Sequence, residues 1–354
     1  MVHAHVRASY GIRNRAGETA SFTFDALNRT TLKDLPGSEP DVSFTYDLLG
    51  RMTGASRSGH ALSFTYDALG RNLTQVGPHG TVTSAYDLAG RRTRITHADG
   101  FYVDQDHLVT GELSAIRENG ATSGVGVLAT FAYDDLGRRT SLTRGNGAVT
   151  STSYDGASRL SQLVENPAGT SHDLTLGFSY NPASQIVGNT RSNDSYAFTA
   201  HANGTTSSTV NGLNQMTAHA GASLGHDARG NMTSDGVKTF AYTSENLLTS
   251  ASGGVTLAFD PMMRLHQLSG TTTIRFAYDG GALIAEYDGS NALQRRYVHG
   301  PGMDEPLVWY EGSGTSDRRF LHADERGSIV APSTNVNACA RGSAGPFAIP
   351  RGGR

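Results

Sequence analysis

The sequence predicts an all-β protein in which stacked antiparallel β-hairpins form a long, curling sheet. The first reason is a turn sequence, Tyr-Asp-x-x-Gly-Arg, at residues 46–51, 66–71 and 86–91, whose copies start 20 residues apart (66−46 and 86−66). The second is the alternation of aromatic and small polar residues before each turn. The third is a composition of 43 glycines with 37% apolar residues, which suits many turns and a small core. A repeat of this period sets the architecture before any other feature.

Each residue of the turn sequence has a physical role in reversing the chain. The Asp67 carboxylate can accept hydrogen bonds from backbone N–H groups just after it, and Gly70 can adopt a left-handed conformation that a Cβ would disfavour. Together they predict a type I turn followed by a G1 bulge. Arg71 then returns opposite Asp67. Arginines are 27 of the 29 basic residues (29−2, the lysines being Lys33 and Lys238), which suits planar pairing with carboxylates.

The strand before each turn places two aromatic side chains on one face. In Phe64-Thr65-Tyr66 the aromatic residues are two apart, which is the period of a half-buried strand. The same spacing occurs at Phe22/Phe24, Phe44/Tyr46, Phe131/Tyr133, Phe178/Tyr180, Phe240/Tyr242 and Phe276/Tyr278. Each repeat is therefore predicted to be a β-hairpin.

Further copies keep the turn while losing some of its residues. They lie at residues 22–29, 102–116, 154–159, 180–185, 211–215, 226–231 and 242–247, with a hairpin around a Gly-Gly pair at 276–287. Asn or Ser often replaces Gly in these copies, and Asn tolerates the left-handed conformation nearly as well. The Gly-rich stretch 119–126 is predicted to be a long hairpin tip, because the Lys-Ser or Lys-Thr of a phosphate-binding loop does not follow it.

This spaced series resembles the YD repeat of the RHS and teneurin-like protein families. Good copies occur four times, at residues 46–51, 66–71, 86–91 and 133–138, and degraded copies extend the pattern across roughly 22–300. Residues 296–302 and 319–330 resemble the opening of the RHS repeat-associated core, which follows the last repeats in such proteins. The expected domains are a repeat array at 1–300, the start of this core at 301–331, and an irregular, disordered tail at 332–354.

The resemblance also implies a shape and a role. RHS and YD-repeat proteins wind such a ribbon into a hollow, cocoon-like shell around an enclosed cargo. Here the array begins in mid-repeat near Tyr10 and the core stops after Ala331, so we expect an incomplete shell that associates or aggregates when expressed alone. The autoproteolytic motif that can precede a C-terminal toxin in this family is absent from residues 332–354, so no self-cleavage is expected.

Composition argues against several other classes of protein. A net charge of −3 does not suggest a surface that binds nucleic acid. The sequence contains no apolar run of about 18 residues, which a membrane-spanning helix would need. The start of the chain lacks the apolar core of a secretory signal. We therefore expect a secreted or cell-surface protein that is delivered by a non-Sec route or as part of a larger protein. The single cysteine, Cys339, excludes an internal disulfide framework and a CxxC metal site.

No group of residues predicts catalysis, so the expected catalytic, cofactor-binding and metal-binding residues are none. His97-Ala98-Asp99 and His322-Ala323-Asp324-Glu325 contain metal-ligating side chains, and on a strand the histidine and the aspartate would share a face. A metal site needs three or four converging ligands, and the sequence offers no third ligand for either pair. Both histidines are therefore interpreted as structural.

The predicted function is structural, without enzymatic activity or cofactor. The chain would be part of an RHS-type shell that encloses a toxin or effector, packs against another part of the shell, or mediates cell-surface contact. The alternative is a cell-surface adhesion module that binds carbohydrate by stacking exposed tyrosine rings on sugars. Cross-strand aromatic packing is the competing explanation for those tyrosines.

Overall fold

The computed structural model describes residues 10–167, 173–194 and 203–335. Within these ranges the protein is almost entirely β, with strands numbered β1 to β32 and one short 3₁₀ helix. The described residues form two compact units. Unit 1 contains residues 10–84, 97–99 and 203–293, and unit 2 contains residues 85–96, 100–167, 173–194 and 294–335.

The first part of unit 1 is a run of hairpin strands joined by short turns. They are β1 (Tyr10–Arg13), β2 (Thr19–Phe24), β3 (Thr30–Asp34), β4 (Val42–Tyr46), β5 (Met52–Arg57), β6 (His60–Tyr66), β7 (Asn72–Gly77) and β8 (Gly80–Tyr86), the last of which extends two residues past the unit boundary.

Unit 2 takes up the same pattern. Its first strands are β9 (Arg92–Thr96), β10 (Tyr102–His107), β11 (Leu113–Glu118), β12 (Val127–Tyr133), β13 (Arg139–Arg144), β14 (Val149–Tyr154), β15 (Leu160–Asn166), β16 (Leu174–Tyr180) and β17 (Ile186–Arg191). The 3₁₀ helix, Gly124–Gly126, lies in the loop between β11 and β12. The Gly-rich stretch is thus part of a long hairpin tip, as predicted.

The later strands are shorter at first and then regular again. Unit 1 contains β18 (Ser208–Val210), β19 (Met216–His219), β20 (Ala222–Ser223), β21 (Gly225–His226), β22 (Met232–Ser234), β23 (Phe240–Tyr242), β24 (Leu248–Ala251), β25 (Val255–Phe259), β26 (Leu265–Ser269), β27 (Thr273–Asp279) and β28 (Ala282–Asp288). Unit 2 ends with β29 (Leu293–His299), whose first residue belongs to unit 1, β30 (Pro306–Glu311), β31 (Arg318–Ala323) and β32 (Ile329–Ser333).

Neighbouring strands pair in antiparallel register, and most tight turns carry the same bulge. Between β6 and β7, Phe64 lies opposite Gln75 and Tyr66 opposite Asn72, with a register shift between Thr65 and Tyr66. Equivalent shifts occur at the turn ends of β4–β5, β12–β13, β14–β15 and β16–β17. The predicted all-β fold of stacked antiparallel hairpins is confirmed.

The turn geometry also agrees with the sequence. The Gly70 N–H donates to the Asp67 carbonyl over 3.1 Å, and the Asp67 N–H donates to the Arg71 carbonyl over 3.0 Å. One oxygen of the Asp67 carboxylate accepts the N–H groups of Leu69 and Arg71, both at 2.9 Å. Gly70 has a φ of 84°, and the replacing residues are also left-handed: Asn28 at 61°, Ser158 at 63°, Ser184 at 61°, Asn214 at 59° and Asn246 at 65°.

The buried core is thin in unit 1 and more aromatic in unit 2. Val42, Leu62 and Val82 are buried in the regular part of unit 1, whereas Phe44 and Phe64 are only half-buried. Unit 2 buries a wider set of residues that includes Ile116, Leu128, Phe131, Val308, Tyr310 and Phe320. Burial of the first motif aromatic varies within each unit, since Phe276 of unit 1 and Phe131 of unit 2 are buried whereas Phe178 of unit 2 is half-buried.

The end of the described chain is still a strand. β32 runs to Ser333, two residues into the tail that was predicted to begin at 332. The rest of that predicted tail from residue 336 onward, with Cys339, lies outside the described residues. In the described part of the chain, no helix has the length and apolar character that crossing a membrane requires.

Candidate functional site

The most regular feature of the molecule is a contact between successive hairpins. The Arg51 guanidinium donates through Nε to Asp47 Oδ2 over 2.6 Å, within its own turn. Through Nη1 it also donates to the Asp67 backbone carbonyl of the next turn over 2.8 Å. The same guanidinium lies over the Tyr66 ring, 4.9 Å from its centroid, in a cation–π arrangement. We call this three-part contact the Arg–Tyr clamp.

The Arg–Tyr clamp recurs in both units. Each arginine pairs with the aspartate four residues before it and covers the tyrosine of the next repeat: Arg29 lies over Tyr46 at 4.8 Å, Arg138 over Tyr154 at 4.6 Å, Arg159 over Tyr180 at 4.6 Å and Arg264 over Tyr278 at 4.9 Å. Turn carbonyls accept the forward bond from Arg29 at Asp47, from Arg159 at Asn181 and from Arg264 at Gly280.

The tyrosine hydroxyl completes each clamp by reaching back to the preceding hairpin. Tyr66 donates its O–H to the Met52 carbonyl over 2.7 Å. Equivalent bonds join Tyr46 to Thr30, Tyr133 to Leu113, Tyr154 to Arg139, Tyr180 to Leu160 and Tyr278 to Leu265. Where the clamp is present, a hairpin thus bonds forward through its arginine and backward through its tyrosine, which keeps neighbouring turns aligned.

Several members of the clamp have shifted pKa values. The side-chain bond from arginine is the main cause of the lowered pKa of Asp25, Asp134 and Asp155, and a backbone N–H adds to it. Burial raises the pKa of Tyr66, and it raises the pKa of Tyr278 to about 12. At neutral pH these three aspartates are therefore charged, and Tyr66 and Tyr278 remain hydrogen-bond donors.

The sequence predicted the pair within the turn but not the forward contact. A partial signal for the forward contact was present, since in the most regular repeats the tyrosine of the next repeat follows the arginine by 15 residues (66−51 and 86−71). The clamp can hold neighbouring hairpins together, because its polar groups are directed at other parts of the same chain.

The two histidine motifs lie in different environments. His97 and Asp99 lie in a turn after β9, where His97 is buried and Asp99 is exposed, so the shared strand face considered from the sequence was wrong for this pair. His322 is a buried residue of β31, while Asp324 starts a turn by accepting the N–H groups of Arg326 and Ser328. The second motif therefore does not bring His322 and Asp324 together.

His322 instead joins a buried network that the sequence did not indicate. Its Nδ1 is 2.8 Å from Glu165 Oε2, and its Nε2 is 2.9 Å from Ser333 Oγ. Glu165 also accepts the Thr150 hydroxyl and lies 3.6 Å from Arg144. The serine, the histidine and the carboxylate are thus hydrogen-bonded in the same order as in a nucleophilic triad.

The surroundings of this network differ from those of a working triad. Ser333 has 0% of its surface exposed and His322 1%. The Ser333 hydroxyl oxygen accepts a bond from Asn146 Nδ2 over 2.8 Å. Burial lowers the pKa of His322 although the bond to Glu165 acts in the opposite direction. A cavity of about 460 Å³ beside the network is lined by Arg144, Thr150 and Glu165 but not by the serine or the histidine.

Among the described residues, no group of three or more histidine, cysteine, aspartate or glutamate side chains has the geometry to hold a metal ion. The polar groups of the molecule are arranged mainly as pairs within turns and as bonds between hairpins.

Comparisons with known proteins agree with this architecture. The family model described as RHS Repeat matches residues 66–102 and 133–171. The tRNA3(Ser)-specific nuclease WapA of Bacillus spizizenii is 27% identical over 138 residues, which cover 36% of this chain and 6% of WapA. The predicted resemblance to RHS-repeat proteins is confirmed over these two matched stretches.

The comparison with solved structures finds similarity at low sequence identity. The crystal structure of TcdB2-TccC3 matches with a TM-score of 0.51 and 13% identity, over 93% of this chain and 24% of that one. A Tc holotoxin pore of Photorhabdus luminescens with a substituted TccC3 matches with a TM-score of 0.48 and 12% identity, over 91% of this chain and 24% of that one. The chain thus spans about a quarter or less of the length of these relatives.

Proposed function

We propose that this chain forms part of the wall of an RHS-type shell that encloses a toxin or effector. The observation that carries the proposal is the Arg–Tyr clamp, which recurs from Arg29 to Tyr278. A wall that must stay continuous needs neighbouring hairpins fixed to one another, and the clamp does this with bonds in both directions in the repeats that carry it. The toxin context of the relatives supports an effector as the cargo, acting outside the producing cell or at a cell surface.

The proposed role requires no catalysis by this chain. Ser333 has no accessible surface, and its hydroxyl bonds to both His322 and Asn146. A nucleophilic serine needs room for a substrate carbonyl and donors for the oxyanion. We infer that the network fastens β31 and β32 to the β13–β15 strands of unit 2.

A fluorophosphonate probe, which labels activated serines, tests this inference. No labelling is expected in the folded chain or in a Ser333→Ala control. Labelling that disappears in Ser333→Ala would overturn the non-catalytic assignment.

The carbohydrate-binding alternative gains no support from the tyrosines of the repeats. The rings of Tyr46, Tyr66, Tyr154, Tyr180 and Tyr278 are each covered by a guanidinium, and their hydroxyls are bonded to backbone carbonyls. These faces are therefore engaged within the chain. A glycan array with the isolated chain tests the alternative. Tyr10 is an exposed aromatic residue that could stack on a sugar. Specific binding that survives its mutation would require a sugar site elsewhere.

The shell proposal is tested on the complete gene product that contains this segment. The reading frame is first followed downstream, where a toxin domain and an immunity gene would support the proposal. The product is then digested with trypsin under native conditions, and the downstream part should be protected.

Clamp variants make this test specific. Arg138→Ala combined with Arg159→Ala should expose the downstream part to trypsin, whereas Arg326→Ala, at a largely exposed arginine outside the clamps, should not. Equal cleavage of the downstream part in all three proteins would contradict enclosure.

A further inference from the structure

Three histidines, of which His60 is buried and His79 and His266 are partly buried, connect distant segments of unit 1. His60 is the first residue of β6, His79 lies in the turn between β7 and β8, and His266 lies on β26. The rings of His60 and His266 are 4.3 Å apart at an angle of 50°. His79 stacks on Tyr287 of β28 at 4.2 Å with an angle of 5°. Nearby, Gln75 Nε2 donates to the Tyr278 carbonyl over 2.6 Å, so the imidazoles lie where β6–β8 meet β26–β28.

The charged groups around the rings provide little compensation for added protons. His60 faces His266, Asp260, His79 and Arg264, in that order of influence. His79 faces Arg275 and His266, and His266 faces Asp260 and Arg275. Asp260 is the carboxylate of this set, and it is already paired with Arg264 at 2.7 Å.

The space beside the rings is also limited. The small cavity lined by His60, His79 and the buried His97 has a volume of about 40 Å³, enough for roughly one water molecule. His79 Nδ1 is buried and has no hydrogen-bond partner among the described residues. Protonation would therefore create a buried, charged donor that no group of the described chain accepts, which is unfavourable.

We propose that His60, His79 and His266 form an acid-sensitive latch, in which neutral rings hold β6–β8 against β26–β28 and protonation releases them. This inference goes beyond the shell proposal, because it concerns the closure of unit 1 whether or not a cargo is enclosed. The latch binds protons and therefore responds to a fall in pH below neutrality.

The direction of the pH dependence follows from the folded pKa values. Burial lowers the pKa of His60 from 6.5 to about 4, with His266 adding to the effect, and burial also lowers the pKa of His79 and His266. The open state therefore binds more protons, so closure is strongest above pH 6.5 and weakens as the pH falls toward 4. For His60 alone, the equilibrium constant for closing the latch should fall on the order of 100-fold between about pH 7 and pH 4.

Hydrogen exchange of the complete chain tests the latch without any mutation. Peptides covering residues 60–82 and 260–287 should lose about 10-fold or more of their protection between about pH 7.5 and pH 5, after correction for intrinsic exchange. The β2–β3 hairpin, residues 19–34, should keep its protection over the same range. An equal change in all of these peptides, or no change in the latch peptides, would overturn the proposal.

Variants and direct titration separate the latch from general acid instability. His60→Phe should reduce the pH response of the latch peptides, while His219→Phe, at an exposed histidine of β19, should leave it unchanged. In the folded wild-type protein, NMR of labelled histidines should show His60 titrating well below 6.5, and a normal pKa for that ring would refute the latch. The response should persist in EDTA, and its loss there would assign the effect to a metal instead.

Discussion

Two stretches of unit 1 use the same turn but differ in the strands that it connects. In the regular stretch, β4 to β8, strands are 5 to 7 residues long and bury Val42, Leu62 and Val82. In the loose stretch, β18 to β24, strands are 2 to 4 residues long, and all three residues of β18 are exposed.

The turns themselves are nearly identical in the two stretches. The Asn214 N–H donates to the Asn211 carbonyl over 3.0 Å, as the Gly70 N–H does to Asp67 over 3.1 Å. The difference lies in the side chains, because Asn211 bonds to Gln215 over 2.8 Å where the regular repeat has Asp and Arg. Gln215 has no guanidinium to reach the next hairpin. The comparison indicates that the turn is a local structure, whereas long, well-buried strands accompany the clamp.

The largest difference between the stretches is expected from removing an arginine. Arg51→Ala deletes the bonds to Asp47 and Asp67 and the contact with Tyr66, and should lower the local stability of β4–β7 by about 1.5–3 kcal/mol. Gln215→Ala in the loose stretch should cost less than about 0.5 kcal/mol. Hydrogen exchange of the two hairpins measures both values, and similar losses would mean that the clamp does not stabilise the regular stretch.

The next largest loss of stability is expected from replacing Gly70, which has a left-handed conformation. Gly70→Val should destabilise the β6–β7 hairpin by about 1–3 kcal/mol, because a β-branched residue is strained at positive φ. Crowding cannot explain such a loss, since a Cβ at this position would meet only Arg51 Cδ, 4.0 Å away. Leu69→Ala in the same turn, where the side chain is 76% exposed, is the control and should cost less. Equal shifts of the denaturation midpoint would count against a conformational cause.

Removing a single hydroxyl should have a smaller effect. Tyr66→Phe loses the bond to the Met52 carbonyl while keeping the ring under Arg51, and should cost about 1 kcal/mol. Tyr10→Phe, at an exposed position on β1, should be neutral within experimental error. Urea denaturation followed by circular dichroism compares the two. If Tyr66→Phe leaves the stability unchanged, the tyrosine stabilises the clamp through its ring alone.

A grafted charge pair should help the loose stretch only slightly. Asn211→Asp combined with Gln215→Arg restores the turn pair, and an exposed pair contributes about 0–1 kcal/mol. The next repeat has His226 where a regular one has tyrosine, so the full clamp cannot form. A gain larger than that range in the protection of β18 and β19 would show that the turn pair alone extends the strands.

The smallest effect is expected from moderate acid on a clamp outside the latch. The pKa of Asp25 is lowered from 3.8, chiefly by its bond from Arg29, so its contribution is present above pH 3.8 and is lost only as the pH falls through the lower folded value. Protection of residues 19–34 should therefore be unchanged between about pH 7 and pH 5. A decrease in that range would point to another titrating group near β2–β3.

Most of the hairpin architecture could be predicted from the sequence because it depends on neighbouring residues. The carboxylate of Asp67 bonds to N–H groups two and four residues later, and Gly70 or its Asn and Ser substitutes need only tolerate a positive φ. These interactions close within six residues. The worn copy at 102–116 and the Gly-Gly hairpin at 276–287 are also antiparallel hairpins, and Gly111 and Gly280 in their turns have a positive φ.

The contacts that join distant strands were decided by the tertiary structure. Glu165 and His322 are 157 residues apart in sequence, and Gln75 and Tyr278 are 203 apart. The sequence identified His322 as structural without indicating its partners, and it did not single out His60 at all. No local rule relates such residues, because a buried polar group is satisfied by whichever strand packs against it. The turns of this protein were therefore determined by sequence alone, while its buried networks and the histidine latch depend on which strands the folded chain brings together.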